Sequence, residues 1–77
     1  MILTICGARP LIVGIKKVKQ GLYNVTIWSA QGYPFSSYSD VKVYVDGESP
    51  GDSDELFLEA VRVKYVKERG EVYVYTK

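Results

Sequence analysis

The strongest constraint on this fold is an alternation of apolar and polar residues with a period of two. In residues 22–29, LYNVTIWS, the side chains of Tyr23, Val25 and Ile27 fall on one side of an extended chain. The same alternation places valines on one side of three further segments, 40–45, 60–66 and 71–76. Such segments are typical of strands that bury one face. The sequence therefore predicts a sheet with an aliphatic interior.

Short polar connections separate these segments. The sequences 19–21 and 67–70 each contain a glycine, as hairpin loops of three to five residues usually do. Gly14 interrupts the strand predicted for 11–18, which suggests a bulge or bend there. The apolar run 2–6 either pairs at an edge or continues into this strand past Pro10. A bent first strand allows a small sheet to curl into a barrel.

Residues 1–77 are thus expected to form a single small domain of the mainly all-β class. We predict a five- to six-stranded antiparallel barrel that is OB-like, with an SH3-like barrel as the alternative. A loop rich in Gly, Pro and Ser is expected over 31–39, between the strands predicted at 22–29 and 40–45. A short helix is predicted near 53–60, because Asp52 and Glu55 have capping-box spacing and an apolar stripe follows. The competing interpretation extends the strand at 60–66 backwards through Leu58 and Leu56.

Several classes of function are disfavoured by the composition. The chain has no histidine, so a His-assisted nucleophile is unavailable, and no phosphate-binding glycine loop occurs. We expect neither an enzyme, nor a cofactor, nor a metal site. Cys6 is the single cysteine and is expected to be a buried apolar residue in a reducing, cytoplasmic environment. No apolar run is long enough to span a membrane, and the net charge of +1 does not indicate a partner.

The sides of the strands opposite the valines carry aromatic and cationic residues. Flat rings beside Lys and Arg suit single-stranded nucleic acid, because rings stack on bases and cations contact phosphates. Single-stranded DNA or RNA is therefore the partner that the sequence predicts. The candidate stacking residues are Trp28, Phe35, Tyr44 and Tyr73, and the candidate phosphate contacts are Lys16, Lys17, Lys42, Arg62 and Lys64.

The stretch from Trp28 to Phe35, WSAQGYPF, is predicted to be displayed rather than buried. Residues 29–36 resemble the DNA-contacting hairpin of the small single-stranded DNA-binding proteins of filamentous phages, which has a Ser, a Gly, and then a Pro followed by an aromatic residue. The resemblance covers eight of 77 residues and implies an OB-fold that binds single strands, with Phe35 as a stacking residue. It also implies that Gln31 and Gly32 shape the turn. Ala30 departs from the pattern, because a basic residue is expected there.

Other interpretations of the same residues remain open. Cross-strand aromatic pairs stabilise any exposed sheet, and some rings could form a second small core under the 31–39 loop. A protein-interaction module or inhibitor could use the aromatic face or the acidic loop 46–59. Exposed strand edges could also pair two copies as a homodimer.

Overall fold

Five strands account for most of the chain. The computed structural model describes residues 2–29, 31–51 and 54–77, and for residues 2–10 it describes the backbone alone. The strands are β1 (Ile2–Lys19), β2 (Leu22–Trp28), β3 (Pro34–Val45), β4 (Glu55–Val66) and β5 (Glu71–Tyr75). A 3₁₀ turn, Lys67–Arg69, joins β4 to β5. The strands close into a barrel in the order β1-β2-β3-β5-β4, which confirms the predicted all-β barrel.

The strand order is a Greek key. Strand β1 pairs antiparallel with β2 and β4, and β3 pairs antiparallel with β2, so these four strands lie in the order β4-β1-β2-β3. Strand β5 fills the remaining gap, antiparallel to β4 and parallel to β3. The expectation of a wholly antiparallel barrel is therefore wrong at the β3–β5 pair. Among small barrels of the OB/SH3-like kind, the Greek-key order favours the OB-like description.

Strand β1 is continuous across Pro10, so the run 2–6 belongs to the same strand as 11–18. Its register against β4 shifts between Cys6 and Leu11, and its register against β2 shifts between Lys17 and Lys19. A bulge or a bend was predicted at Gly14, and the bulge is absent, because Gly14 lies in regular register with both neighbouring strands. The side chain of Cys6 lies outside the described residues.

The helix predicted near 53–60 is wrong, because β4 begins at Glu55 and Ser53 lies outside the described residues. Leu56 and Leu58 pair with Ile15 and Val13 of β1 and pack against the core. An isolated helix of two turns is marginal in water, whereas pairing with β1 buries alternate residues of this segment. The strand interpretation through Leu58 and Leu56 is confirmed.

Strand β3 is also longer than predicted, because it begins at Pro34 and includes most of the expected loop 31–39. Its pairing with β2 shifts between the Val25–Tyr38 and Tyr23–Val41 pairs, where Asp40 has a positive φ of 55°. The shift turns the strand, so its first half pairs with β2 and its second half pairs with β5.

The barrel interior is aliphatic, as the alternation predicted. A π-stacked pair, Tyr38 and Tyr65, packs beside it with ring centroids 4.2 Å apart. Val61 is an exception to the predicted valine faces: it is 43% exposed, since the pairing of β4 with β1 is interrupted near it. None of the described residues forms a helix that could cross a membrane. The buried core residues are Leu11, Val13, Ile15, Tyr23, Val25, Ile27, Val41, Val43, Ala60, Val63, Val72 and Val74.

A two-residue turn after β3 fixes the end of β5. Asp46 and Gly47 both have positive φ, and Val45 and Glu48 exchange two backbone hydrogen bonds of 2.6 and 3.0 Å. Asp-Gly is the sequence that such a turn favours. The carboxylate of Asp46 accepts hydrogen bonds from the backbone N–H of Thr76, at 2.9 Å, and from the Thr76 hydroxyl. These bonds hold the pKa of Asp46 below its ordinary value of 3.8.

We expect an Asp46→Asn variant to be less stable than the parent protein above pH 4, and the difference to shrink in acid. A carboxyl group whose pKa is lower in the folded state stabilises the fold while it is ionised, and this contribution disappears as the pH falls through the folded-state pKa. Asparagine retains the positive φ but carries no charge. Melting temperatures of both proteins between pH 2 and 7 give the difference directly. A difference that is constant across this range would contradict the assignment.

Candidate functional site

The outward-facing aromatic residues form two groups on different parts of the barrel. Strand β4 contributes to both, since its first half pairs with β1 alone, whereas its second half lies between residues 2–6 of β1 and strand β5. Phe57 belongs to the first group and Lys64 to the second, seven residues further along β4. Seven extended residues span about 23 Å measured along the strand. The sequence predicted one aromatic surface, and the closed barrel divides it.

The group that contains Lys64 lies on the outward sides of β3, β5 and β4, and we name it the basic tyrosine face. Tyr44 and Tyr73 are paired in register, and their rings are stacked with centroids 5.2 Å apart and planes 19° apart. Lys64 is the neighbour of Tyr73 on the other side, with its Nζ 5.7 Å from the ring centroid. The guanidinium of Arg62 lies 4.3 Å from the centroid of the Tyr75 ring. The members of this face are Lys42, Tyr44, Arg62, Lys64, Tyr73 and Tyr75.

One carboxylate enters this face. Glu71 pairs with Lys42, and its side chain accepts a hydrogen bond of 2.7 Å from the Tyr73 hydroxyl. Chiefly because of this bond, the pKa of the Tyr73 hydroxyl is raised above its ordinary value. Sequence reasoning named only aromatic and cationic residues on the outward sides of the strands and missed Glu71. Glu71, Tyr73 and Tyr75 follow one another with a period of two, so they lie on the same side of a strand. This spacing could have identified Glu71 as a member of the face.

The group that contains Phe57 lies over Gly14, and we name it the aromatic groove. The rings of Trp28 and Phe57 approach with centroids 6.0 Å apart and planes at 34°. A Cβ atom on Gly14 would lie 2.7 Å from Cζ3 of Trp28 and 3.0 Å from Cε1 of Phe57. The glycine thus lets both rings settle against β1, and Trp28 is half-buried. Sequence reasoning missed Phe57, because it assigned this residue to a helix.

The charges near the aromatic groove are mixed. Lys16 and Glu55 are paired in register and line the same cleft as the two rings. Glu59 follows Phe57 on the same side of β4 and is exposed. The groove therefore lacks the excess of cations found on the basic tyrosine face.

Residues 31–35 of the stretch 28–35 are exposed, as predicted, whereas Trp28 and Ser29 are half-buried and Ala30 lies outside the described residues. Tyr33 is 71% exposed and Phe35 is 56% exposed. The N–H of Gly32 donates to the carbonyl of Ser29, and Ser29 also exchanges hydrogen bonds with Tyr33, so the turn is closed locally. Phe35 lies in β3 rather than in a loop, at the register shift next to the Trp28–Pro34 pair.

A cleft at one end of the barrel, which we name the barrel mouth, adjoins the basic tyrosine face. Its floor is formed by Tyr23 and Val43, which belong to the core. Lys17 and Lys42 both line it, together with the β1–β2 turn and the loop after β3. The residues lining the mouth are Lys17, Gln20, Gly21, Tyr23, Lys42, Val43, Tyr44, Ser49 and Gly51.

The predicted site residues thus fall in three places. The basic tyrosine face contains Lys42, Tyr44, Arg62, Lys64 and Tyr73. Trp28 and Lys16 line the aromatic groove, and Phe35 lies on β3 next to the Trp28–Pro34 pair. Lys17 lies at the barrel mouth. In comparisons with known proteins, no protein-family model, curated protein or solved structure matches the chain.

We expect Gly14→Ala to separate the rings of the aromatic groove and to destabilise the protein by about 1–2 kcal/mol, since overpacking costs more than the strand gains from alanine. Urea denaturation gives the change in stability, and the emission of Trp28, the single tryptophan, should shift to the red as the ring moves into water. Combining Gly14→Ala with Phe57→Ala removes the ring beside Trp28, so the indole can shift away from the new methyl group, and is expected to recover part of the loss. A Gly14→Ala protein with unchanged stability and emission would contradict the packing described here.

Proposed function

We propose that this protein binds single-stranded nucleic acid on the basic tyrosine face, with little sequence preference. The observation that carries the proposal is the stacked pair of Tyr44 and Tyr73, with Lys64 on the adjoining strand. Exposed edges and faces of such rings accept bases of any sequence, at about 1–3 kcal/mol per base.

The cations of the basic tyrosine face can contact the phosphates of a single-stranded nucleic acid. Lys42 and Arg62 are exposed, and Lys64 is half-buried. Arg62 and Lys64 pair across strands with Tyr75 and Tyr73, and Lys42 precedes Tyr44 on the same side of β3. Arg62 lies over the Tyr75 ring, so its guanidinium plane offers a further stacking surface. Glu71 is engaged by Tyr73, and three cations against one carboxylate leave the face positive.

Fluorescence anisotropy with a labelled oligothymidylate of about 15 nucleotides tests the proposal. Three phosphate contacts predict a slope of about −2 for log K against log salt, so affinity should fall roughly twentyfold between 50 and 200 mM salt. Lys64→Gln should reduce the magnitude of this slope by about 0.7, whereas Lys19→Gln, at the end of β1, should leave it unchanged. Salt-independent binding, or equal effects of the two variants, would contradict the proposal.

The aromatic groove favours a second candidate function, which is binding of a basic segment of another protein. Phe57 is 58% exposed, and Glu55 and Glu59 flank it on the same side of β4. Trp28 and Phe57 provide ring faces for arginine or lysine side chains, and the carboxylates provide the complementary charge.

An arginine-rich peptide and its citrulline counterpart distinguish this candidate from the first. The two peptides have nearly the same shape and differ in charge, so the groove should bind the arginine peptide alone. Phe57→Ala should abolish that binding, and Tyr73→Phe on the other face should preserve it. Equal binding of both peptides would exclude this candidate.

A further inference from the structure

We infer that the barrel mouth binds the terminal phosphate of a nucleic-acid strand that occupies the basic tyrosine face. The inference rests on the proposed function and assigns to the mouth a ligand of one chemical class, a phosphate monoester. Mouths of β-barrels are common ligand sites, because the strand ends and loops surround a concave space.

A buried tyrosine and two hydrogen bonds fix the residues around the barrel mouth. The side chain of Tyr23 is 7% exposed, and its hydroxyl donates a hydrogen bond of 3.4 Å to the carbonyl of Gly51. The backbone N–H of Lys17 donates a bond of 2.8 Å to the carbonyl of Asp54. Both bonds join strands of the barrel to the segment before β4, so Lys17 is held beside the floor.

The polar groups of the mouth suit an anion. Two lysines, Lys17 and Lys42, line the cleft together with Gln20 and Ser49, whose side chains can donate hydrogen bonds, and the described lining residues include no carboxylate. A terminal phosphate carries about −1.5 to −2 charges at pH 7 and three acceptor oxygens. A bridging phosphate diester carries a single charge, so two lysines favour the terminal group.

The barrel mouth adjoins the surface on which we propose that the nucleic acid lies. Lys42 and Tyr44 belong to both the mouth and the basic tyrosine face. A terminal base stacked at the Tyr44–Tyr73 pair therefore has its phosphate next to the mouth. Lys17 lines the mouth but does not belong to the basic tyrosine face, because it lies on β1, where it pairs with Tyr23 of β2, and β1 is not a neighbour of β5.

The test compares one oligothymidylate in three forms, with a 5′-phosphate, with a 3′-phosphate and with hydroxyl groups at both ends, in the anisotropy assay. We expect one of the phosphorylated forms to bind about tenfold more tightly than the hydroxyl form. Lys17→Gln should bring the ratio of these two affinities close to one. Lys19→Gln removes a neighbouring lysine that does not line the mouth, and should leave the ratio unchanged.

The outcomes separate the inference from the proposed function. If no form binds, the proposed function fails and the inference fails with it. If all forms bind equally, or if Lys17→Gln and Lys19→Gln change the ratio equally, the inference is overturned and the proposed function stands. If inorganic phosphate alone shifts the amide resonances of the mouth while the three forms bind equally, the mouth binds free phosphate, and the strand-end assignment is wrong.

Discussion

Replacing Ile27 with alanine is expected to remove a large fraction of the protein's free energy of unfolding. The Ile27 side chain is fully buried on β2, among the aliphatic residues of the single core. Truncation of a buried isoleucine to alanine costs about 2–5 kcal/mol, from lost burial and the cavity that remains. At about 0.05–0.15 kcal/mol per residue, a domain of this size has a total stability of roughly 4–12 kcal/mol.

Urea denaturation followed by circular dichroism measures this effect. The matched control is Val18→Ala, which also truncates an aliphatic strand residue, but one that is 44% exposed. We expect the control to change stability by less than about 0.5 kcal/mol. Similar losses in the two variants would mean that the interior of the barrel is not the core described here.

The second large effect is expected for binding rather than stability. Tyr73→Ala removes the ring that is stacked on Tyr44 and faces Lys64, so affinity for the oligothymidylate should fall about tenfold or more. Tyr44→Ala should act in the same direction. Because the two rings contact each other, the losses in the double variant are expected to be smaller than the sum of the single losses.

The matched control for the ring is Tyr73→Phe. It retains the stacking surface and removes only the hydroxyl that donates to Glu71. We expect its affinity to stay within about twofold of the parent protein, and circular dichroism should establish that each variant is folded. Loss of binding in Tyr73→Phe, or retained binding in folded Tyr73→Ala, would contradict stacking by this ring.

The alternation of residues was sufficient to predict the strands and most of the core, because burial of one strand face is a local pattern with period two. Val25, Val43 and Val74 face the interior as that pattern requires. The segment 55–60 could not be assigned in the same way. Leu56 fits a helical stripe with Phe57 and Ala60, and it also fits a strand face with Leu58. The partner strand that decides between them is β1, whose Ile15 lies 41 residues before its partner Leu56.

The division of the outer surface was equally hard to predict. The alternation of residues predicts that Trp28, Tyr44 and Tyr73 all point outward, but it does not predict which strands are neighbours in the sheet. Barrel closure places β5 between β3 and β4, which brings Tyr44, Tyr73 and Lys64 together and leaves Trp28 with Phe57. Gly14 carried a signal that sequence reasoning attributed to a bulge, whereas its role is close approach of two rings.

The most direct test of nucleic-acid binding at the basic tyrosine face is an amide chemical-shift map of the isotope-labelled protein, titrated with unlabelled oligothymidylate. We expect the largest shifts at Lys42, Tyr44, Arg62, Lys64 and Tyr73, with the Trp28 indole N–H nearly unmoved. Shifts centred on Trp28 and Phe57, or no shifts at low salt, would contradict the proposed function.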